Sequence, residues 1–129
     1  MEPKNKRMSD TNKLVINTPT GFFLLPSQTI IYCKEEHHTC TFFVTGNTQV
    51  PADKPISFFE TKLEDWDFIR INKTLMVNAN HIKNLKQEDQ TVLILSDDTR
   101  IPLTNKGLAQ VYDKIFQFKR PKTELAMVD

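Results

Sequence analysis

The stretch FIRINKTLMVNANHIKNL, from Phe68 to Leu85, decides how this chain is expected to fold. Apolar and β-branched residues form short runs in it, and none of these runs is long enough for a helix of ordinary length. The polar step Asn72-Lys73-Thr74 separates the first two runs and predicts a turn between strands. The predicted strands are Phe68–Ile71, Leu75–Val77 and Ile82–Leu85.

Outside this stretch, most of the chain also predicts strands that are joined by tight turns. Thr18-Pro19-Thr20-Gly21 and Gly46-Asn47 have the composition of hairpin turns, and Asp97-Asp98 provides another turn nearer the end. The further predicted strands are Lys13–Asn17, Phe22–Leu25, Thr29–Cys33, Thr39–Thr45, Thr48–Val50, Thr91–Leu95 and Thr99–Leu103.

Two segments break the alternation and predict short helices. In Ser57–Leu63, Ser57 is the expected N-cap and Glu60 follows three residues later, which is the capping-box arrangement. Residues 106–118 have apolar side chains at helical spacing, and Thr104 or Asn105 is expected to cap this second helix. The apolar positions of the second helix are Leu108, Val111, Tyr112, Ile115 and Phe116.

The length of 129 residues is enough for one domain. Residues 1–12 and 119–129 are polar and predict flexible tails, and Pro121 interrupts any helix that reaches it. The domain itself is expected to span residues 13–118. Its many strands and two helices predict a mainly β fold.

Composition excludes several classes of protein but does not select one. No apolar run approaches the ~20 residues of a membrane span, and no secretion signal is recognisable, so we expect a cytoplasmic protein. The two cysteines, Cys33 and Cys40, are then expected to be reduced. Seventeen basic and sixteen acidic residues give a net charge of +1, which alone indicates neither nucleic-acid nor membrane binding.

The residue order of the deciding stretch resembles the hallmark of the LytTR domain, the DNA-binding module at the C-terminus of many bacterial response regulators. The surrounding segments follow the family in order, so the resemblance covers about residues 13–117. It implies a stack of small antiparallel sheets with one short internal helix and a C-terminal helix. Its loops on one edge are then expected to enter successive major grooves of DNA. The matching positions are Phe68, Arg70, Ile71, Asn72-Lys73-Thr74, Leu75, Val77, Asn78 and Ile82.

Three polar segments have side chains that suit duplex DNA. A neutral imidazole offers one donor and one acceptor, an amide pairs with adenine, and an ammonium group binds phosphate. The start of the last helix also offers backbone N–H groups to an anion. The three segments are residues 35–39, 72–74 and 104–106. By resemblance, the first and third segments read bases, and the second mainly binds phosphate. The predicted DNA-binding residues are His37, His38, Thr39, Asn72, Lys73, Thr74, Asn105 and Lys106.

Some residues depart from the family pattern. Many members have an arginine at the position of Asn105, where it reads guanine, whereas Asn105 can face adenine instead. Glu35 and Glu36 flank the histidines and would repel phosphate unless they point away. The basic residues of the two tails are expected to compensate by following the DNA backbone.

The sequence therefore predicts a bacterial transcription regulator that binds duplex DNA in a sequence-specific way. By resemblance, copies are expected to pair on repeated half-sites. We expect no cofactor, no membrane association and no small-molecule substrate. Twelve preceding residues cannot form a receiver domain of about 100 residues, so a stand-alone domain is expected.

Two alternatives come from other classes of protein. Cys33, His37, His38 and Cys40 are ligand types, but their spacing is not a recurring zinc pattern, so we expect no metal site. No nucleotide-binding loop or nucleophile motif is present either, which disfavours an enzyme. The other alternative is a protein-interaction module that has lost DNA binding and modulates a partner regulator. The weak net charge favours it, and the Asn72-Lys73-Thr74 segment opposes it.

Overall fold

The computed structural model of the chain describes residues 12–127, with side chains as far as Phe116. Within this range, ten strands form three antiparallel sheets, and two α-helices pack on them, so the predicted mainly β fold is confirmed. The strands are β1 (Lys13–Thr18), β2 (Gly21–Pro26), β3 (Ile30–Glu36), β4 (Thr39–Val44), β5 (Thr48–Pro51), β6 (Phe68–Asn72), β7 (Leu75–Asn78), β8 (Ile82–Gln87), β9 (Thr91–Leu95) and β10 (Arg100–Pro102). The helices are α1 (Ile56–Asp65) and α2 (Asn105–Met127).

The central sheet has five strands in the order β5-β4-β3-β7-β6. A two-stranded sheet, β1-β2, and a three-stranded sheet, β10-β9-β8, accompany it. The predicted hairpin turns at residues 18–21, 46–47 and 97–98 all join neighbouring strands as expected. None of the helices in the described part of the chain is long and apolar enough to cross a membrane.

Alternation in the deciding stretch gives the central sheet two apolar faces, because successive side chains of a strand point to opposite sides. Phe68 and Met76 face a first core, which also contains residues of β1, β2 and α1. Ile69 and Val77 face a second core, which contains residues of β9, β10 and α2. The central sheet is therefore the middle layer of the stack.

The helices differ in detail from their predicted bounds. Helix α1 begins at Ile56 after Pro55, and no side chain of the N-cap residue accepts a hydrogen bond, so the capping box predicted at Ser57 was wrong. The backbone of α2 is helical to Met127, so it passes the end predicted at Phe118 and also Pro121, which was wrongly expected to interrupt a helix. Leu108, Val111 and Ile115 pack into the second core as predicted, whereas Tyr112 and Phe116 are exposed and stack on each other at 6.0 Å.

The predicted tails are largely untested by the structure. Residues 1–11, 128 and 129 lie outside the described residues. Asn12 accepts a hydrogen bond through its backbone oxygen from the N–H of Ser27 at 2.8 Å, next to the start of β1. The mobility expected of residues 1–12 and 119–129 stays a prediction.

Candidate nucleic-acid interface

Two hairpin turns lie side by side at one end of the central sheet. The first joins β3 to β4 through His37 and His38, since Glu36 pairs with Thr39. Both histidines have positive φ angles, 52° and 69°, as the central residues of a type I′ turn require. This turn matches the right-handed twist of the strands and exposes both imidazoles to solvent.

The second turn joins β6 to β7 and contains Asn72, Lys73 and Thr74. The Asn72 side-chain oxygen accepts hydrogen bonds from the Thr74 N–H at 2.9 Å and from its hydroxyl at 3.2 Å. An asparagine that bonds the backbone two residues onward fixes a tight turn locally. The Lys73 side chain is therefore presented to solvent from a closed loop.

The Arg70 guanidinium stabilises the backbone of this second turn. Its Nε donates to the Asn72 carbonyl at 2.8 Å, and one terminal nitrogen donates to the Lys73 carbonyl at 2.7 Å. The other terminal nitrogen forms an ion pair with Glu60 of α1 at 2.6 Å. The guanidinium thus holds the loop backbone, and the Glu60 carboxylate compensates its charge.

The start of α2 lies beside the second turn. Thr104 caps the helix, because its hydroxyl accepts the Gly107 N–H at 3.1 Å, which resolves the predicted choice between Thr104 and Asn105. A Cβ placed on Gly107 would lie 3.5 Å from Cγ2 of Ile71, so the helix start packs closely on β6. A cleft of about 340 Å³ between them is lined by Asn72, Lys73, Thr104 and Lys106, among others. We call it the first cleft.

The histidine turn is tied to the second turn through the backbone. The Glu35 N–H donates to the Thr74 carbonyl at 2.8 Å, one residue beyond the paired part of β3 and β7. All eight predicted DNA-binding side chains are exposed. Residues 37–39, 72–74 and 104–106 thus lie along one edge of the molecule, and we call this edge the rim.

The acidic residues beside the histidines are engaged elsewhere. The Glu35 carboxylate accepts the Ile56 N–H at 2.9 Å, so it points to the start of α1 and takes the capping role expected of Ser57. Glu36 lies 3.7 Å from the Lys34 ammonium, and both side chains are exposed. Glu35 therefore points away from the histidines, whereas Glu36 stays exposed beside them, so the condition for phosphate binding is met for Glu35 alone.

The residues of the metal alternative do not come together. Cys33 and Cys40 are buried in the first core, whereas His37 and His38 are exposed on the turn between them. The neighbouring Cys40 thiol and burial raise the pKa of Cys33 well above its ordinary value. Across the residues that the structure describes, no group of three or more His, Cys, Asp and Glu side chains is arranged to hold a metal ion.

Sequence reasoning assigned no role to several residues near the rim. Arg70 is visible in the sequence as one charged residue in an apolar strand, but its partners follow only from the tertiary structure. Lys34 and Arg100 belong to strands far apart in the chain, yet both line a second cleft of about 280 Å³ with Asn72. No local pattern in the sequence marks that proximity.

A separate apolar surface lies on the β1-β2 sheet. Val15 pairs with Leu24 across the two strands, and Phe22 follows on the same face. Phe58 of α1 lines a cleft together with Val15. These four side chains are between 48% and 62% exposed, which is unusual for large apolar residues on neighbouring elements.

Two comparisons with known proteins find matches. A family model described as the LytTr DNA-binding domain matches residues 20–115. Among solved structures, the chain is similar to the LytTr DNA-binding domain of a protein from Bacillus cereus described as a methyl-accepting/DNA response regulator. The identity is 18% and the TM-score 0.65, with 80% of this chain and 95% of that chain covered. At this identity the similarity shows the fold alone. A comparison with curated proteins finds no match.

Proposed function

Because the chain belongs to the LytTR family of DNA-binding domains, we propose that it binds duplex DNA in a sequence-specific way and regulates transcription. The rim segments enter the major groove in this proposal. The family is one of DNA-binding domains and not of enzymes, and our proposal involves no cofactor or small-molecule substrate. It places the protein in the bacterial cytoplasm.

The proposal rests mainly on the joint position of the three rim segments. Asn72 and Lys73 line the same cleft as Thr104 and Lys106, and the histidine turn is bonded to Thr74 through Glu35. Base edges and phosphates are close together at the wall of the major groove, so a protein needs both kinds of side chain on one edge. The rim offers imidazole, amide, hydroxyl and ammonium groups in that arrangement.

The proposed roles follow from side-chain chemistry. Lys73 and Lys106 both line the first cleft and contact phosphates, helped by the positive end of the α2 dipole. Asn105 and the two histidines read base edges, because each offers both a donor and an acceptor. Arg70 does not contact DNA in this proposal; it positions the Asn72–Thr74 turn.

The first test is binding of the full chain to a random pool of duplex DNA over a range of salt concentrations, followed by selection of the bound sites. A slope of several units in a log–log plot against salt is expected, because each phosphate contact contributes about 0.9 units. An enriched sequence motif is also expected. A slope near zero with no enriched motif would contradict the proposal.

Two variants then separate the proposed roles. Lys73→Ala should weaken binding to all sequences about equally and reduce the salt slope by about one, as loss of a phosphate contact does. Asn105→Ala should cost about 1–3 kcal/mol at one base position and relax the preference there. A change of preference without a change of slope in Lys73→Ala would show that the roles are wrongly assigned.

The β1-β2 apolar surface favours a second candidate function, that of an interaction module which modulates a partner regulator. Val15, Phe22, Leu24 and Phe58 form an exposed apolar surface, and such surfaces are typical of protein–protein contacts. A salt slope near zero together with an intact fold would support this candidate over DNA binding. Pairing of copies on repeated half-sites is part of the main proposal, and the spacing of selected motifs tests it.

A further inference from the structure

The second cleft lies between the β6–β7 turn and strands β3 and β10, whereas the first cleft lies between this turn and the start of α2. It is lined by Lys34 of β3, Arg100 of β10 and Thr74 of the turn. Asn72 lines both clefts, so the turn forms a ridge between them. Each side of this ridge therefore has its own recess with its own cations.

The cations of the second cleft are accessible. The Arg100 side chain is 51% exposed and pairs with Glu88 at 2.7 Å, and the Lys34 side chain is 52% exposed and lies 3.7 Å from Glu36. Exposed ion pairs of this kind are weak, because water screens them and both side chains must be ordered. A phosphate group can therefore replace either carboxylate at small cost.

Two neutral hydroxyl groups also line the second cleft. They belong to Tyr32 and to Thr74, whose hydroxyl donates to the Asn72 side-chain oxygen at 3.2 Å. Burial is the main reason why the pKa of Tyr32 is raised above its ordinary value, so its hydroxyl stays protonated at neutral pH. Hydroxyl groups beside a guanidinium and an ammonium are the usual partners of a phosphate oxygen.

The width of the DNA major groove determines how the ridge and the two clefts can act together. The major groove is about 12 Å wide, admits a two-stranded ribbon, and has one phosphate backbone along each side. When the β6–β7 ridge enters the groove, a recess on either side of it faces one backbone. From this geometry we propose that the second cleft binds the backbone opposite to the one that contacts the first cleft, with Arg100 and Lys34 as its cations. This inference rests on the proposed function.

The experiment measures the salt dependence of binding to a selected duplex for the full chain and for Arg100→Gln. The variant should weaken binding to all sequences about equally and lower the salt slope by about one. Lys34→Gln should act in the same direction. Unfolding curves of both variants check that the fold is intact.

Lys83→Gln is the matched control. Lys83 is also a cation in an exposed ion pair, with Asp98 at 2.7 Å, but it lines neither of the two clefts. Loss of the Lys83 charge should leave the salt slope of DNA binding unchanged. An equal loss of slope in Lys83→Gln and Arg100→Gln would overturn the inference, because it would show a general effect of net charge.

Glu88→Gln gives a second, independent measurement. This change releases Arg100 from its ion pair, so it should strengthen binding in the wild-type background. In the Arg100→Gln background the same change should have less effect, since a double-mutant cycle isolates the coupling of the two residues. Equal gains in both backgrounds would contradict the role of Arg100.

The outcomes distinguish this inference from the proposed function. If Lys73→Ala lowers the salt slope and Arg100→Gln does not, DNA binding stands and the second cleft is not a backbone site. If the wild-type chain shows a slope near zero, the proposed function fails, and the inference fails with it. If the salt slope is lowered in Lys73→Ala and Arg100→Gln but not in Lys83→Gln, the result supports both the proposed function and the inference about the second cleft.

Discussion

Asn78 shows how much of the stack depends on one side chain. It is only 2% exposed and is the one buried polar residue among those described. Its amide nitrogen donates to the carbonyls of Ile30 at 2.9 Å and Ser27 at 3.3 Å, and its oxygen accepts the Asn80 N–H at 2.9 Å. The side chain therefore joins the end of β7 to the start of β3, 48 residues earlier.

Replacing Asn78 by alanine should destabilise the fold by about 1–3 kcal/mol, because its backbone partners lose their hydrogen bonds in a buried place. Urea denaturation measures the change in the free energy of unfolding. Asn84→Ala, at an exposed position of β8, is the control and should stay near the wild-type value. A change below half of a kilocalorie in Asn78→Ala would contradict this role.

At the level of single residues, the sequence predicted which side chains are exposed to solvent better than it predicted their hydrogen-bond partners. The exposed positions of the eight rim side chains are consistent with their prediction as polar turn residues. The contacts of Arg70 with the Asn72 and Lys73 carbonyls were not predictable, because a strand pattern does not say which way a long side chain bends. Asn78 was visible as part of the hallmark, but its buried contacts follow from the tertiary structure.

Among the elements, the connection between β3 and α1 has the clearest energetic consequence. The first N–H groups of a helix lack partners within the helix, and α1 follows Pro55, whose side chain accepts no hydrogen bond. The Glu35 carboxylate supplies the missing acceptor from 21 residues earlier in the chain. A strand residue therefore caps α1, whereas the sequence predicted a cap within the helix segment itself, at Ser57.

Glu35→Ala should destabilise the fold by about 0.5–2 kcal/mol, which is the usual cost of losing a helix cap. Glu35→Gln should cost less, because its amide oxygen still accepts the Ile56 N–H. Glu36→Ala is the matched control, since the Glu36 side chain is exposed and lies 3.7 Å from the Lys34 ammonium. Denaturation midpoints of the three variants test this order, and an equal loss in Glu35→Ala and Glu36→Ala would refute it.

Strands and turns followed from the sequence more reliably than helix ends. Alternation and turn residues depend on neighbours in the chain, so β6, β7 and β9 lie close to their predicted positions. The end of a helix depends on what can cap or extend it, and for α1 this was a residue of another element. The sequence therefore predicted that α1 exists but not how it begins.

For the whole molecule, the rim depends on the order of strands in the central sheet. β3 and β7 are neighbours although 38 residues separate the end of β3 from the start of β7, and this pairing places the two turns together. Composition and periodicity cannot predict such a pairing, and the resemblance to a family predicted only that the loops share one edge. The second cleft, which involves β10, was not predicted at all.

Charge outside the domain gives a prediction at the same scale. Lys4, Lys6 and Arg7 lie in the first twelve residues, and the net charge of the whole chain is only +1. Changing all three to glutamine in the full chain should weaken DNA binding and lower the salt slope by up to about 2.7, since each phosphate contact adds about 0.9. Neutralising Glu2 and Asp10 instead is the control. An unchanged slope would mean that this segment does not contact the backbone.

The left-handed backbone at His37 and His38 restricts how this protein can be redirected to new targets. At φ angles of 52° and 69°, β-branched side chains are strained, while glycine, asparagine, aspartate and histidine are tolerated. A library randomised at these two codons should therefore return few amino-acid types at either position after selection for folded protein alone. Engineering of a new recognition code is then better begun at Asn105, where a helical backbone accepts nearly every amino acid.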